Sequence, residues 1–423
     1  MNETKKQRRE EKKKKARRAA IAPGMQGDPL FDPCVKCTIC VQACPVVAVT
    51  DQFPGPKQAG PDAQRFRQID EDAVDDWIEY CTACRRCEIA CPSNVPIAKI
   101  NILAKFRHAM QRGLDLPTLI MNRSFLFGDG GSLLAPLANR TMNNRVLRKL
   151  SQVLAGIDAR RPLPHFSFTT FDAWAKTRAI ARTDRRVVYF HGCYTNNNAP
   201  EIGRITVRLL EALGHEVIIP EQYCCGAAMI GAGDLNAARD QARRNIEALT
   251  PYAEQGLPIL VTSTSCCLAL AHEYDDVLGM KEAAPMAAQV RDLMEYLGEL
   301  LDDGLIPPPD HEVNIRAHYH TACHQQALGI GTPATVLLSQ IPGVEIRLLD
   351  GGCCGLGGTY GFKKGKYDVS QAIGEKLARR AEQVGAELIV TECEGCRMQI
   401  STLTGVPCKH PVEILAQGYG VEI

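Results

Sequence analysis

Short apolar runs alternate with longer amphipathic stretches through the C-terminal part of this chain. Runs at 187–190, 216–219 and 259–262 have strand length and are rich in β-branched and aromatic residues. Between them, 201–213 repeats apolar residues at helical spacing and closes on Gly214, and a second helical stretch opens at Asp234. The same order returns at 315–319, 344–349 and 388–391. Strands alternating with helices predict an α/β fold with a largely parallel sheet. Nearer the N-terminus the pattern differs. A Pro/Gly-rich loop at 53–61 precedes an acidic amphipathic helix with Ile69, Ala73, Val74, Trp77 and Ile78 on one face, running straight into Cys81. Trp77 reads as core packing.

The recurrence is an internal repeat, marked by cysteines. Cys193 matches Cys323, the Cys224-Cys225-Gly226 triplet matches Cys353-Cys354-Gly355, and Cys267 matches Cys396, all at an offset of 129 or 130. Each lies just after an expected strand, where α/β folds place ligands. In the second half Cys323, Cys353, Cys354, Cys393 and Cys396 are expected to meet. Gly355, Gly357 and Gly358 would let backbone approach a bulky group. The first half offers Cys193, Cys224, Cys225 and Cys267, with Cys266 as the alternative to Cys267. Thr264 stands at the position matching Cys393, so occupancy of this half stays open. His191, His320 and His324 flank the leading cysteines and read as hydrogen-bonded scaffold. Buried thiols acting as small hydrophobes are the alternative for the whole set.

Upstream, Cys34, Cys37, Cys40, Cys44 and Cys81, Cys84, Cys87, Cys91 form two complete C-x2-C-x2-C-x3-C-P runs. Three cysteines at this spacing wrap three corners of a [4Fe-4S] cubane, and the fourth reaches the neighbouring cluster. This predicts one cluster on Cys34, Cys37, Cys40 and Cys91, and another on Cys81, Cys84, Cys87 and Cys44. Zinc, the alternative, usually takes two separated C-x2-C pairs. Arg85 and Arg86, inside the second run, either raise that cluster's potential or pair with a partner's acids. The helical connector suits a helical two-cluster ferredoxin better than a compact β-hairpin one.

Composition narrows the setting. With 423 residues and 45% apolar content the chain needs no covalent staples, so nineteen cysteines call for metal ligation and not disulfides. No secretory signal is evident, and a cytoplasmic location is expected. No apolar run is long enough to span a bilayer, so membrane attachment would be peripheral. Residues 1–20 hold ten Lys or Arg against three acids. A solvated, disordered arm over 1–25 is the plain reading, contact with RNA or an anionic membrane the alternative, and no nucleic-acid partner is expected. The segment 112–185 reads as a linker. Its basic stretch and Phe125, Leu126 and Phe127 make it a candidate interfacial contact. The expected organisation is the arm, a two-cluster ferredoxin domain at 26–111, this linker, and cysteine-rich repeats at 186–310 and 311–423. No G-x-G-x-x-G element has the context of a flavin or nicotinamide site.

With these residues in hand, the chain resembles the cysteine-rich CCG proteins related to heterodisulfide reductase. CVKCTICVQACP, CTACRRCEIACPSNV, FHGC, QYCCG and CEGC carry the likeness. The loop PGPKQAGP and GGCCGLGGTYGFKK narrow it to one family of anaerobic glycerol-3-phosphate dehydrogenase subunits, those of the C type. The resemblance implies an electron-transfer subunit that is not itself catalytic. It would take electrons from a flavoprotein partner oxidising glycerol 3-phosphate toward membrane quinone, at the cytoplasmic face of the inner membrane, with a role as anchor in view. It also implies a further iron-sulfur cluster in the second repeat, with another in the first left open. Two alternatives are the iron-sulfur subunit of a lactate or glycolate oxidation complex, and a heterodisulfide reductase-like enzyme acting at the CCG cluster.

Overall fold

The computed structural model describes residues 33–70, 72–123, 132, 135–180 and 182–422. The basic arm and the Phe125, Leu126 and Phe127 run lie outside them.

The N-terminal unit is helical. Helix α1, Ala63–Ile69, is preceded without a break by a π-helical turn at Gln58–Asp62. Pro61 sits inside that turn, so the second half of the expected loop is helical. A π turn suits a proline because the ring occupies the slot of an i→i+4 hydrogen bond. The helix expected to run on into Cys81 is interrupted. It ends at the extended residue Asp70, leaves Ile69 87% exposed, and resumes as a 3-10 turn at Asp76–Tyr80. Val74 and Ile78 are buried, and Trp77 packs beside Phe53 at 6.5 Å between ring centroids. Helix α2, Ile97–Arg112, forms the spine of this unit, with eleven of its sixteen residues buried. The following segment packs onto the body. It holds helix α3, Leu116–Asn122, and helix α4, Arg145–Ala155, and it buries Ile157, Arg161 and Phe171.

Two four-stranded sheets follow. The first contains β1 (Arg185–Phe190), β2 (His215–Ile218), β3 (Ile259–Val261) and β4 (Val290–Asp292), ordered β2-β1-β3-β4. The second contains β5 (Ile315–Tyr319), β6 (Val344–Leu348), β7 (Ile389–Val390) and β8 (Cys408–Lys409), ordered β6-β5-β7-β8. All pairings are parallel, with matching registers such as Val188↔Ile259 and His318↔Ile389. Each repeat has a fourth strand the sequence pattern does not announce. At three and two residues, β4 and β8 are too short to show a period. Helices α5 (Pro200–Ala212), α6 (Leu235–Ala253), α7 (Thr264–Leu268), α8 (Pro333–Ser339), α9 (Tyr367–Gln383) and α10 (Glu394–Thr404) connect the strands.

One apolar core joins the repeats. Val187, Tyr189 and Leu260 from the first sheet share it with Ala317, Tyr319 and Val390 from the second, over α5 and α8. Polar links cross the same seam. His410 Nε2 lies 2.9 Å from the Thr262 carbonyl oxygen, and the Ser263 hydroxyl donates to Glu394 at 3.0 Å. The cysteine loops follow the carboxyl ends of the first three strands in each sheet, on the side that meets the N-terminal unit.

Candidate metal centres

The two ferredoxin-type loops share one backbone solution. Lys36 and Thr38 in the first, and Ala83 and Arg85 in the second, adopt left-handed conformations, with φ of 58°, 65°, 55° and 59°. Non-glycine residues seldom hold such angles without a reason in the surrounding structure. Here two in each loop curl the chain so that three thiols face one point, a fit to one face of a cubane. Burial raises the Cys40 thiol, and Cys34, Cys91 and Cys37 beside it add to the effect. Burial pushes Cys44 up to about 12, with Cys84 and Cys81 as its neighbouring thiols. Cys87 is raised by burial and by Cys84, Cys81 and Cys44. The structure therefore gathers Cys34, Cys37, Cys40 and Cys91 in one place and Cys81, Cys84, Cys87 and Cys44 in the next. Cys37 is exposed whereas Cys81 and Cys87 are buried, so the first group sits at the surface and the second inside.

The second group is wedged between the repeats. On one side Arg85 reaches the first repeat. Its guanidinium lies 3.1 Å from Glu273, 2.8 Å from Glu88 in its own loop and 3.6 Å from Asp276. Lys99 adds a 2.9 Å bridge to Asp276, and Lys105 Nζ donates to the Gly231 carbonyl at 2.7 Å. Gly233 is closed against α2, since a Cβ there would lie 2.7 Å from the Lys105 carbonyl carbon. The acids that Arg85 meets belong to this same chain and not, as the second reading had it, to a partner. On the other side Thr82 and Cys84 face the second repeat, where a Cβ on Gly357 would meet Thr82 at 3.1 Å.

In the second repeat all five expected cysteines come together. Cys354 and Cys396 place their sulfurs 3.3 Å apart. Cys393 caps α10, its sulfur accepting from the Cys396 amide at 3.4 Å. Hydrogen bonds from Cys353 and Cys396 pull the Cys354 thiol well down, and they hold the protons of those two correspondingly high. Burial raises Cys323, with Cys84, Cys354 and Cys393 adding and Arg86 opposing. Cys84 thus shares a cavity wall with Cys323 and Cys353 and lies near enough for its charge to act on both. Gly355 is packed too closely for any side chain, with a Cβ position 2.1 Å from the Ser370 carbonyl oxygen.

The first repeat departs from expectation by one residue. The offset returns to 130 after the Cys-Cys-Gly loop, as the strands Ile259–Val261 and Ile389–Val390 demonstrate. Ser263, not Thr264, therefore caps α7 where Cys393 caps α10, and Cys266, not Cys267, stands where Cys396 stands. Cys266 packs with Cys225, Cys193 and Cys224. Cys267 points away, toward Asp292, Glu295 and Glu392. Cys193 and Cys224 sulfurs lie 3.9 Å apart. Of the flanking histidines, His191 meets Asp172 at 3.0 Å, His324 meets Ser265 at 3.0 Å, and His320 is buried.

A single cavity of about 340 Å³ connects these places. It is walled by Cys81 and Cys84, by Cys193, Cys224, Cys225 and Cys266, and by Cys323, Cys353, Cys354, Cys393 and Cys396. Leu114, Thr118, Met121, Pro164 and Phe166 of the linking segment close another side. Among the described residues no three His, Cys, Asp or Glu side chains gather tightly enough for one ion. The thiols instead surround space. Most are held above the ordinary thiol value, so binding a metal group here displaces protons and depends on pH.

The arrangement defines a class: a dicluster ferredoxin unit docked between two halves of a cysteine-rich α/β domain. Comparison with known proteins agrees. Residues 31–95 match the 4Fe-4S dicluster domain, and residues 187–271 and 317–401 match the cysteine-rich CCG domain. The N-terminal unit holds two [4Fe-4S] clusters, and the chain is an iron-sulfur electron-transfer subunit of an oxidoreductase. More narrowly, it belongs to the C-type family of anaerobic glycerol-3-phosphate dehydrogenase subunits. It is 39% identical over 399 residues to the family member of Escherichia coli (strain K12), covering 92% of this chain and 99% of the relative. More distant relatives include the glycolate oxidase iron-sulfur subunit of the same organism, 26% identical over 94% of this chain and 96% of the relative. The D-type subunit of the dihydromethanophenazine:CoB--CoM heterodisulfide reductase of Methanosarcina barkeri is 23% identical, over 92% and 94%.

Proposed function

We propose that this chain receives electrons from a flavin-containing glycerol-3-phosphate dehydrogenase partner and delivers them toward membrane quinone. The carrying observation is that Cys84 of the inner ferredoxin loop lines the same cavity as Cys323 and Cys353 of the second cysteine-rich site, near enough for their charges to act on one another. Iron-sulfur clusters bound at these thiols supply one-electron transfer at potentials set by charge, hydrogen bonds and exposure. In this reading Cys34, Cys37, Cys40 and Cys91 ligate the outer cluster, and Cys81, Cys84, Cys87 and Cys44 the inner one. Cys323, Cys353, Cys354, Cys393 and Cys396 hold a further cluster, and Cys193, Cys224, Cys225 and Cys266 another.

The residues divide the work by position. Exposed Cys37, with Val35 68% and Ile39 45% exposed beside it, gives the outer site an apolar rim for a partner protein. Arg85, Glu88, Glu273 and Asp276 lock the inner loop in place. Arg86 supplies positive charge beside Cys84 and Cys323. Among the described residues no helix is long and apolar enough to cross a membrane. The test is reconstitution. The purified chain alone should not turn over glycerol 3-phosphate, yet should restore quinone-linked oxidation when added to the flavoprotein subunits. Restoration of glycolate or lactate oxidation instead, or disulfide reduction by the chain alone, would overturn the assignment.

A further inference from the structure

Helix α4 is amphipathic, but its polarity is reversed relative to the body it sits on. Val146, Leu147, Leu150, Val153 and Leu154 fall within an arc of roughly 120° at about 100° per residue. All five are exposed, from 41% at Leu147 to 77% at Val153. The opposite side meets the protein through polar groups. The Arg148 guanidinium donates to the Arg161 carbonyl, and Gln152 Oε1 accepts from the Ala159 amide at 2.8 Å. No residue of the helix is buried.

An eleven-residue helix is marginal in water unless an apolar face is covered. This one is well closed, with Asn144 accepting from the Val146 and Leu147 amides and Gly156 turning left-handed at φ 67°. Packing among the described residues therefore leaves the apolar stripe open, and it calls for a cover. The charges say what. Residues 130–157 contain four Arg or Lys and no Asp or Glu. Helical phase sets Arg145 and Lys149 along one border of the stripe. An apolar face with cations along one border and no acid beside it fits the boundary between acyl chains and anionic headgroups, where such helices lie in the plane of the membrane.

We propose that α4 docks the protein on an anionic bilayer surface, with the Val146–Val153–Leu154 stripe in the acyl boundary and Arg145 and Lys149 at the phosphates. The proposal deepens the membrane end of the proposed function and rests on it for its purpose, but it is measured without turnover. The test is flotation of the full cluster-loaded chain with phosphatidylglycerol–phosphatidylcholine vesicles and with phosphatidylcholine alone. A parallel run at about 0.5 M salt, where screening lengths fall to a few ångströms, suppresses the contribution of the basic N-terminal arm. V146S/V153S changes only exposed side chains and should weaken binding on the order of tenfold at high salt, because apolar burial is lost. R145Q/K149Q should narrow the preference for phosphatidylglycerol at low salt by several-fold, the basic N-terminal arm keeping the rest. Iron content and visible absorption should match the parent in both variants. Equal vesicle binding by V146S/V153S and the parent overturns the proposal. So does loss of co-purification with the dehydrogenase subunits in V146S/V153S while vesicle binding persists, which would make the stripe a protein interface. Vesicle binding can fail while reconstituted activity with a soluble quinone stands, and the reverse, so the two readings fail separately.

Discussion

Replacing Arg85 by methionine tests how the inner ferredoxin loop is held. Arg85 keeps a side-chain exposure of 10% and Glu273 of 4%, at 3.1 Å from each other. Removing the cation leaves the Glu273 carboxylate buried without its main partner, since Asp276 and Glu88 are like-charged. Breaking a buried pair from one side costs about 3–5 kcal/mol. Burial already lifts the Glu273 carboxyl above its ordinary value, and Arg85 is the main influence pulling it back. In R85M that restraint is gone, so folded Glu273 ionises later than in the unfolded chain. Protonated Glu273 needs no cation, so the penalty is smallest at low pH, grows as pH rises from the ordinary carboxylate range toward the raised value, and is complete above it. E273Q by itself leaves Arg85 with Glu88 and Asp276 and should cost about 1–2 kcal/mol. R85M/E273Q should be more stable than R85M. Amide hydrogen exchange over residues 263–276 in anaerobic protein reads the local opening directly. Protection there should fall by roughly two to four powers of ten in R85M at about pH 8, and by less at about pH 5.5. A pH-independent loss, or a double variant as unprotected as R85M, would refute the account.

Three further outcomes follow from the site geometry. C266S should lower iron bound in the first repeat whereas C267S should not, by anaerobic iron and sulfide counting, and S263C should raise it by completing a five-thiol set. C91S should deplete the outer cluster and C44S the inner, each removing about four irons and one distinct set of EPR signals. G355A drives a Cβ to 2.1 Å from the Ser370 carbonyl at a φ of 90° and should abolish the cluster of the second repeat. In that variant the absorption of the ferredoxin clusters should survive.

Much of this molecule was legible because its chemistry is dense in the sequence. The two C-x2-C-x2-C-x3-C-P runs and the repeat offset are local patterns, and the thiol groupings follow them. The choice between Cys266 and Cys267 was not legible from an offset alone. It depends on which residue caps α7, and a single-residue change in loop length shifts that cap by one position. The partners of Arg85 were hidden for another reason: Glu273 lies 188 residues away. Strands of two and three residues carry no period, so β4 and β8 emerge only from pairing. The amphipathic pattern from Ile69 to Ile78 was real but was overridden by the chain turn at Asp70. For α4 the sequence displayed an apolar stripe without its direction, and only packing reveals that it faces outward.

The wedge position of the inner loop has a bearing on how the protein is made. Its cysteines are synthesised before either repeat exists, yet in the finished chain they lie behind Gly233, Gly357 and the Arg85 ion pairs. Ile373, Val369 and Cys353 of the second repeat even join the apolar core around Val46, Phe53 and Ile78. Before the C-terminal half closes, iron and sulfide meet the inner loop from every side; afterwards the shared cavity, which Cys81 and Cys84 line, is the approach the structure offers. Loading of the inner site is therefore easiest ahead of closure, and a chain that closes empty has the narrower route to repair.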